Sequence, residues 1–236
     1  MDPLNLIDMY GADALRFALT TGTSPGNDMR LNESKMEASR NFANKLWNAT
    51  RFIIGNIDQE PKLKISDLLP QATHIEDRWV ISRLNHIVYL VNQHMEEYQF
   101  GEAQRVLHDF LWGEFCDWYL EMSKVRLRSG DNSPIPFLVF VLEKLLRLLH
   151  PFMPFITEEI WQNLVSEIPT SKNTPSALII TTYPETDHTL HDKEAESHMD
   201  MVIEAIRAIR NIRAEFTIQP TEPVEVTIKT PEFTHV

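Results

Sequence analysis

A mainly α-helical bundle is the fold class predicted by this 236-residue sequence, with a short N-terminal segment and a small, truncated α+β part after the bundle. Three observations carry the prediction. Apolar residues recur at helical spacing through several long stretches. The seven glycines are too few for many tight β-turns or a glycine-rich phosphate loop. Pro, Asn, Asp, Ser and Gly gather between the periodic stretches, where they act as breakers.

Taken in order, Leu4 to Thr21 is helical in pattern with Gly11 as a break, and Thr23 to Asp28 reads as a turn. Asn32 or Ser34 is placed to cap a long helix ending near Ile57, because a short polar side chain satisfies the first free N–H groups. Asp58 to His74 carries Pro61 and Pro70 and reads as a connector. A second long helix is expected from Ile75 to Tyr98 and a third from Gly101 to Arg128, ended by Ser129 to Pro134. A fourth runs from Phe137 to Leu149. His150-Pro151-Phe152-Met153-Pro154 then interrupts the ladder, since proline lacks an N–H and restricts its neighbour, and helix resumes to Val165. Ala177 to Thr182 reads as a strand or extended segment, Asp192 to Phe216 as helix, and Val224 to Ile228 as a strand by its period-two alternation.

Composition bounds the chemistry. The hydrophobic fraction of 43% and five tryptophans describe a packed protein. Cys116 is the single cysteine, so no intramolecular disulfide and no four-thiolate zinc site can form. No apolar run approaches the ~20 residues that cross a bilayer, and Met1 to Asn5 lacks a signal-like pattern. These point to a reducing, cytoplasmic setting without a membrane. The formal net charge of −12 argues against a general affinity for nucleic acid, but binding answers to the local field rather than the sum.

One helix has two unlike faces. At 100° per residue, Asn41, Asn44, Lys45, Asn48, Arg51 and Phe52 fall within about 120°, whereas Phe42, Leu46, Ala49 and Ile53 share another side. Solvated faces favour Glu and Lys, and three Asn sacrifice helix propensity. Amides can read base edges, Lys and Arg neutralise phosphate, and an aromatic ring stacks an unpaired base. The alternative is that the amides bond to neighbouring elements and Phe52 packs inward. Between residues 35 and 54, four cations stand against one carboxylate. A second stripe, Arg207, Arg210 and Arg213, is either a phosphate-contacting edge or an ordinary solvated face.

No catalytic and no metal constellation stands out. Cys116 sits in an aromatic stretch and reads as a buried structural thiol. Glu114, Asp117 and Glu121 share a helix side and are expected to pair with Lys or Arg rather than bind metal. His94 and His108 are isolated, and His150 is expected to pack or bond to backbone. The chain is expected to be inert by itself and to need no cofactor.

Asp2-Pro3, Tyr10-Gly11-Ala12-Asp13-Ala14-Leu15-Arg16 and Ser24-Pro25-Gly26-Asn27-Asp28-Met29-Arg30-Leu31 resemble class I aminoacyl-tRNA synthetases. Arg40-Asn41-Phe42-Ala43-Asn44-Lys45-Leu46-Trp47-Asn48-Ala49-Thr50-Arg51-Phe52 is similar to their valyl branch. Later matches are Asp77-Arg78-Trp79, the run from Trp112 to Glu121 and His150 to Phe155, and the run from Ile206 to Glu215 is again typical of the valyl enzymes. The resemblance covers essentially the whole chain. It implies that residues 1–34 end a stem-contact fold following a catalytic domain. Residues 35–170 would form the anticodon-binding bundle, and 171–236 the start of a small C-terminal region. It also implies a valine-specific tRNA as partner, contacted through Asn41, Asn44, Lys45, Asn48, Arg51, Phe52, Arg30 and Arg40. ATP would be bound outside this chain, by the parent enzyme's catalytic domain in cis, and the protein would be monomeric. The alternatives are the related isoleucyl or leucyl enzyme, or a helical protein-interaction domain without RNA contact.

Overall fold

The structure, a computed structural model, describes residues 2–22, 31–57, 71–168, 175–219 and 221–228. The expected turn at Thr23–Asp28, the prolines of the connector and Arg30 lie outside the described residues.

Helix ends follow local chemistry. Asp2 caps α1 (Pro3–Tyr10) by accepting from the Leu4 N–H, and Pro3 takes the first turn, where no N–H is needed. Gly11, at φ +89°, turns the chain directly into α2 (Ala12–Thr20), a backbone state that a side chain would resist. Asn32 accepts from the Lys35 N–H at 2.9 Å and opens α3 (Glu33–Ile57). Then come α4 (Ile75–Glu96), α5 (Phe100–Asp109), a π-helical stretch at Phe110–Tyr119 and α6 (Leu120–Arg128). After a turn follow α7 (Ile135–Leu149), α8 (Pro154–Glu167) and α9 (Lys193–Glu215), whose N-cap is Asp192.

The expected bundle is present, with two departures in detail. The helix from Phe100 to Arg128 is continuous but widens to π winding over ten residues. The aromatic run there buries Phe110, Leu111, Phe115, Cys116, Trp118 and Tyr119, so tertiary packing sets the winding. Residues 224–228, expected as a strand, and 177–182, expected as a strand or extended segment, form no strand, although Ala177 and Thr181 keep extended backbone. Leu178–Ile180 forms a short 3-10 turn, held where the Glu158 carboxylate accepts from the Leu178 N–H at 2.9 Å. Residues 223–228 are exposed and irregular, because no other strand exists among the described residues to pair with them.

α7 is the central helix, apolar on nearly every side, and it packs against α3, α4, α5 and α8. Around it lie Phe42, Leu46 and Ile53 of α3, Trp79 and Leu84 of α4, and Trp161 of α8. Ala195, Met199 and Ile203 of α9 join the same core. A smaller cluster of Leu6, Ala14, Leu15, Ala18 and Met36 holds α1 and α2 to α3. α2 is also fastened to the far end of the sequence. Asp13 accepts from the Phe155 and Ile156 N–H groups at the start of α8, and Arg16 donates to the Pro151 carbonyl at 3.0 Å.

Candidate nucleic-acid interface

α3 lies between the long helix of residues 100–128 on one flank and α8 on the other. Its apolar side is where the periodicity puts it, with Phe42, Leu46, Ala49 and Ile53 all buried. The opposite side forms an outward ridge. Asn41, Asn44, Asn48 and Arg51 are exposed along it, and none has a hydrogen bond or ion pair with another described residue. Among the described residues the amides therefore serve no neighbouring element. Arg40 is exposed at the same end of α3 and lies over the Tyr10 ring at 5.2 Å.

A groove runs down each flank of the ridge. Towards the long helix, Lys45, Asn48, Ala49, Phe52, Cys116, Leu120, Glu121 and Lys124 line a cavity of about 170 Å³. Towards α8, Trp47, Thr50, Arg51, Ile54, Gly55, Asn163 and Glu167 line one of about 300 Å³. Phe52 is half-buried and packs against the core, with the Lys124 ammonium 5.3 Å from its ring centre. It is thus a groove wall rather than a free platform, since the 100° spacing puts it at the edge of the polar arc.

Lys45 is the other partly covered member. Its Nζ donates to Asp117 Oδ1 at 2.9 Å and lies 4.8 Å from the Trp112 ring centre. Trp112 ends an aromatic stack that begins in the core, running Phe17, Phe42, His108 and Trp112 at centroid steps of 4.7, 5.1 and 5.8 Å. The stack fixes the indole, and the indole and Asp117 together fix the ammonium.

The three acids expected to find cations do so: Glu114 with Arg83, Asp117 with Lys45, and Glu121 with Lys124. Cys116 is buried, and burial pushes its thiol up to about 12, far from nucleophilic range. His150 bonds to Thr157 at 2.8 Å as a packed residue would, and burial lowers its pKa. Among the described residues no group of three or more His, Cys, Asp or Glu is positioned for a metal, and no helix is long and apolar enough to cross a membrane.

In the arginine stripe of α9, Arg207 and Arg210 are exposed and Arg213 is partly covered. Arg207 and Arg210 lie over the Trp118 ring at 5.7 and 5.2 Å, turned towards the bundle by cation–π attraction. Arg213 donates to the Gln219 and Glu222 carbonyls and folds the following chain back on the helix. Ile212, near the end of α9, is exposed. Glu121 and Lys124 line the groove and Trp112 and Asp117 adjoin it through Lys45, yet the binding candidates read from the sequence omit them. Lys45 and Asp117 stand 72 residues apart, and only the packing of α3 on the long helix joins them.

A family model described as "Anticodon-binding domain of tRNA ligase" matches residues 77–228. A valine–tRNA ligase of Dehalococcoides mccartyi (strain CBDB1) is 53% identical over 229 residues, which is 97% of this chain and 26% of that protein. The valine–tRNA ligase of Geobacillus stearothermophilus is 43% identical over 234 residues, 98% of this chain and 26% of that protein. The chain thus spans about a quarter of the length of these relatives. Among solved structures, the ternary complex of Agrobacterium radiobacter K84 agnB2 LeuRS with tRNA and LeuAMS shares the fold. It has a TM-score of 0.60 at 20% identity, covering 81% of this chain and 22% of that one.

Proposed function

The chain belongs to the anticodon-binding domain family of tRNA ligases, and from that premise we propose that the α3 ridge and its two grooves receive the anticodon stem-loop of a valine-specific tRNA. The observation that carries the reading is the row Asn41, Asn44, Asn48 and Arg51, exposed and without partners among the described residues on an otherwise well-bonded bundle. Amides with free donors and acceptors suit unpaired base edges, and a free guanidinium suits phosphate. Phe52 and Trp112 supply half-buried rings beside them. The 53% identity to a valine–tRNA ligase along nearly the whole chain supports valine rather than isoleucine or leucine as the parent specificity.

The same proposal places the three parts in order, with residues 1–34 completing a stem-contact fold, 35–170 the bundle, and 171–236 opening a further region. Valine activation with ATP then belongs to a catalytic domain in cis, and these residues bind no cofactor of their own. A monomeric, cytoplasmic enzyme fits that arrangement. Arg207 and Arg210, exposed although they lie over Trp118, stay a candidate phosphate-contacting edge apart from the ridge, while Arg213 is bonded to the backbone. Arg30 remains a proposed contact.

Fluorescence anisotropy of labelled valine-specific tRNA with the chain tests the reading. Binding is expected at low salt, and Arg51→Ala should weaken it by about tenfold, the value of one charge-assisted bond. Absence of binding at low salt, or an unchanged Arg51→Ala variant, would favour a protein-interaction domain without RNA contact.

A further inference from the structure

The cations at the groove between α3 and the long helix are not free. Lys45 is held by Asp117 at 2.9 Å and Lys124 by Glu121 at 2.7 Å, and both carboxylates come from the wall that faces α3. The two pairs leave this groove close to electrically neutral, while Arg51 and Arg40 on the ridge have no acidic partner among the described residues. Beside α3, then, the cations without an acidic partner stand on the ridge, whereas those of the groove are paired.

Both pairs are substantially exposed, with side-chain accessibilities of 31% and 48% for Lys45 and Asp117. Pairs of that kind add little to folding, so their effect is felt by whatever enters the groove. A phosphate approaching Lys45 must displace Asp117 and then lie beside a carboxylate of its own sign. A base edge bearing an amino group meets the reverse situation, because a carboxylate accepts from it without the pair being lost.

Resting on the anticodon reading above, we propose that Asp117 and Glu121 are specificity-determining residues, counter-charges that exclude the RNA backbone from this groove and reserve it for donor-bearing base edges. Their contribution is to selectivity rather than to total affinity. An RNA of the wrong loop sequence gains nothing from Lys45 and Lys124 while the carboxylates stand.

Anisotropy titrations of valine-specific tRNA and of a tRNA with an unrelated anticodon, each over a range of KCl, test this with Asp117→Asn. Asp117 is exposed, so the variant is expected to fold, and circular dichroism checks this. The unrelated tRNA should bind about two- to fivefold more tightly, the range in which an exposed ion pair acts. Its salt slope should steepen by about 0.7–0.9, one added phosphate contact. Valine-specific tRNA should change less, so discrimination falls, and Asp117→Glu should restore it. Unchanged discrimination and slope in Asp117→Asn, or equal weakening of both RNAs, would overturn the proposal. Arg51→Ala separates the two levels. If it matters and Asp117→Asn does not, only the counter-charge role fails; if wild type binds neither RNA, the anticodon reading fails first.

Discussion

Asp77 shows what a single buried charge demands of its neighbours. At 1% exposure it accepts from the Tyr119 hydroxyl at 2.7 Å and from Arg126 at 2.9 Å, and Arg126 also reaches Glu76 and Asp131. Burial raises the Asp77 carboxyl above its ordinary range, and the bonds from Tyr119 and Arg126 pull it back. The cluster joins the first turn of α4 to α6 and to the turn before α7. Asp77→Ala leaves the Tyr119 hydroxyl without its acceptor and removes one of the three carboxylates around Arg126, and is expected to lower stability by about 1–3 kcal/mol. Urea unfolding followed by circular dichroism measures it, and a loss under about 1 kcal/mol would mean that α4 is anchored by apolar packing alone.

At the scale of the element, α9 is the helix most exposed to acid. Asp192 caps it by accepting from the Ala195 N–H at 2.9 Å and pairs with Arg78 at 2.7 Å, while Ser82 Oγ accepts from the Asp192 N–H. The Arg78 hydrogen bonds, with the Ala195 N–H, hold the Asp192 carboxyl below its usual 3.8. A carboxyl with a folded pKa below its unfolded one stabilises the fold above the unfolded value, and that contribution is lost as pH falls further. Hydrogen-exchange protection of Lys193–Met199, corrected for intrinsic rates, should therefore fall below pH 3.8 before that of α7 does. A flat profile for α9 would exclude Asp192 as its anchor. The ends of α9, α1 and α3 were legible in the sequence because Asp192, Asp2 and Asn32 act within three residues of themselves. The π winding at Phe110–Tyr119 and the Arg207–Trp118 contact were not, since both depend on side chains brought together by packing. The ridge was legible and the groove only half so: periodicity sorts α3 into faces, but cannot say that Asp117 stands opposite Lys45.

For the whole molecule the net charge of −12 and a nucleic-acid role are compatible because the cations of the proposed face are few and mostly spoken for. With Arg40 and Arg51 lacking an acidic partner among the described residues and Arg30 as a third proposed contact, binding of valine-specific tRNA should follow a log–log salt slope of roughly −2 to −3, at about 0.7–0.9 per phosphate. A slope of about −5 or steeper, measured by anisotropy across a KCl series, would show that phosphate contacts dominate and that the ridge is the wrong footprint. The fastening of α2 to α8 has a consequence in time. Asp13 meets its backbone partner Ile156 across 143 residues, and Arg16 meets Pro151 across 135. A ribosome adding about 5–20 residues per second needs roughly 7–30 s to supply that partner. Throughout that interval the Asp13 carboxylate and the Arg16 guanidinium wait in water, so α2 is made early and locked late.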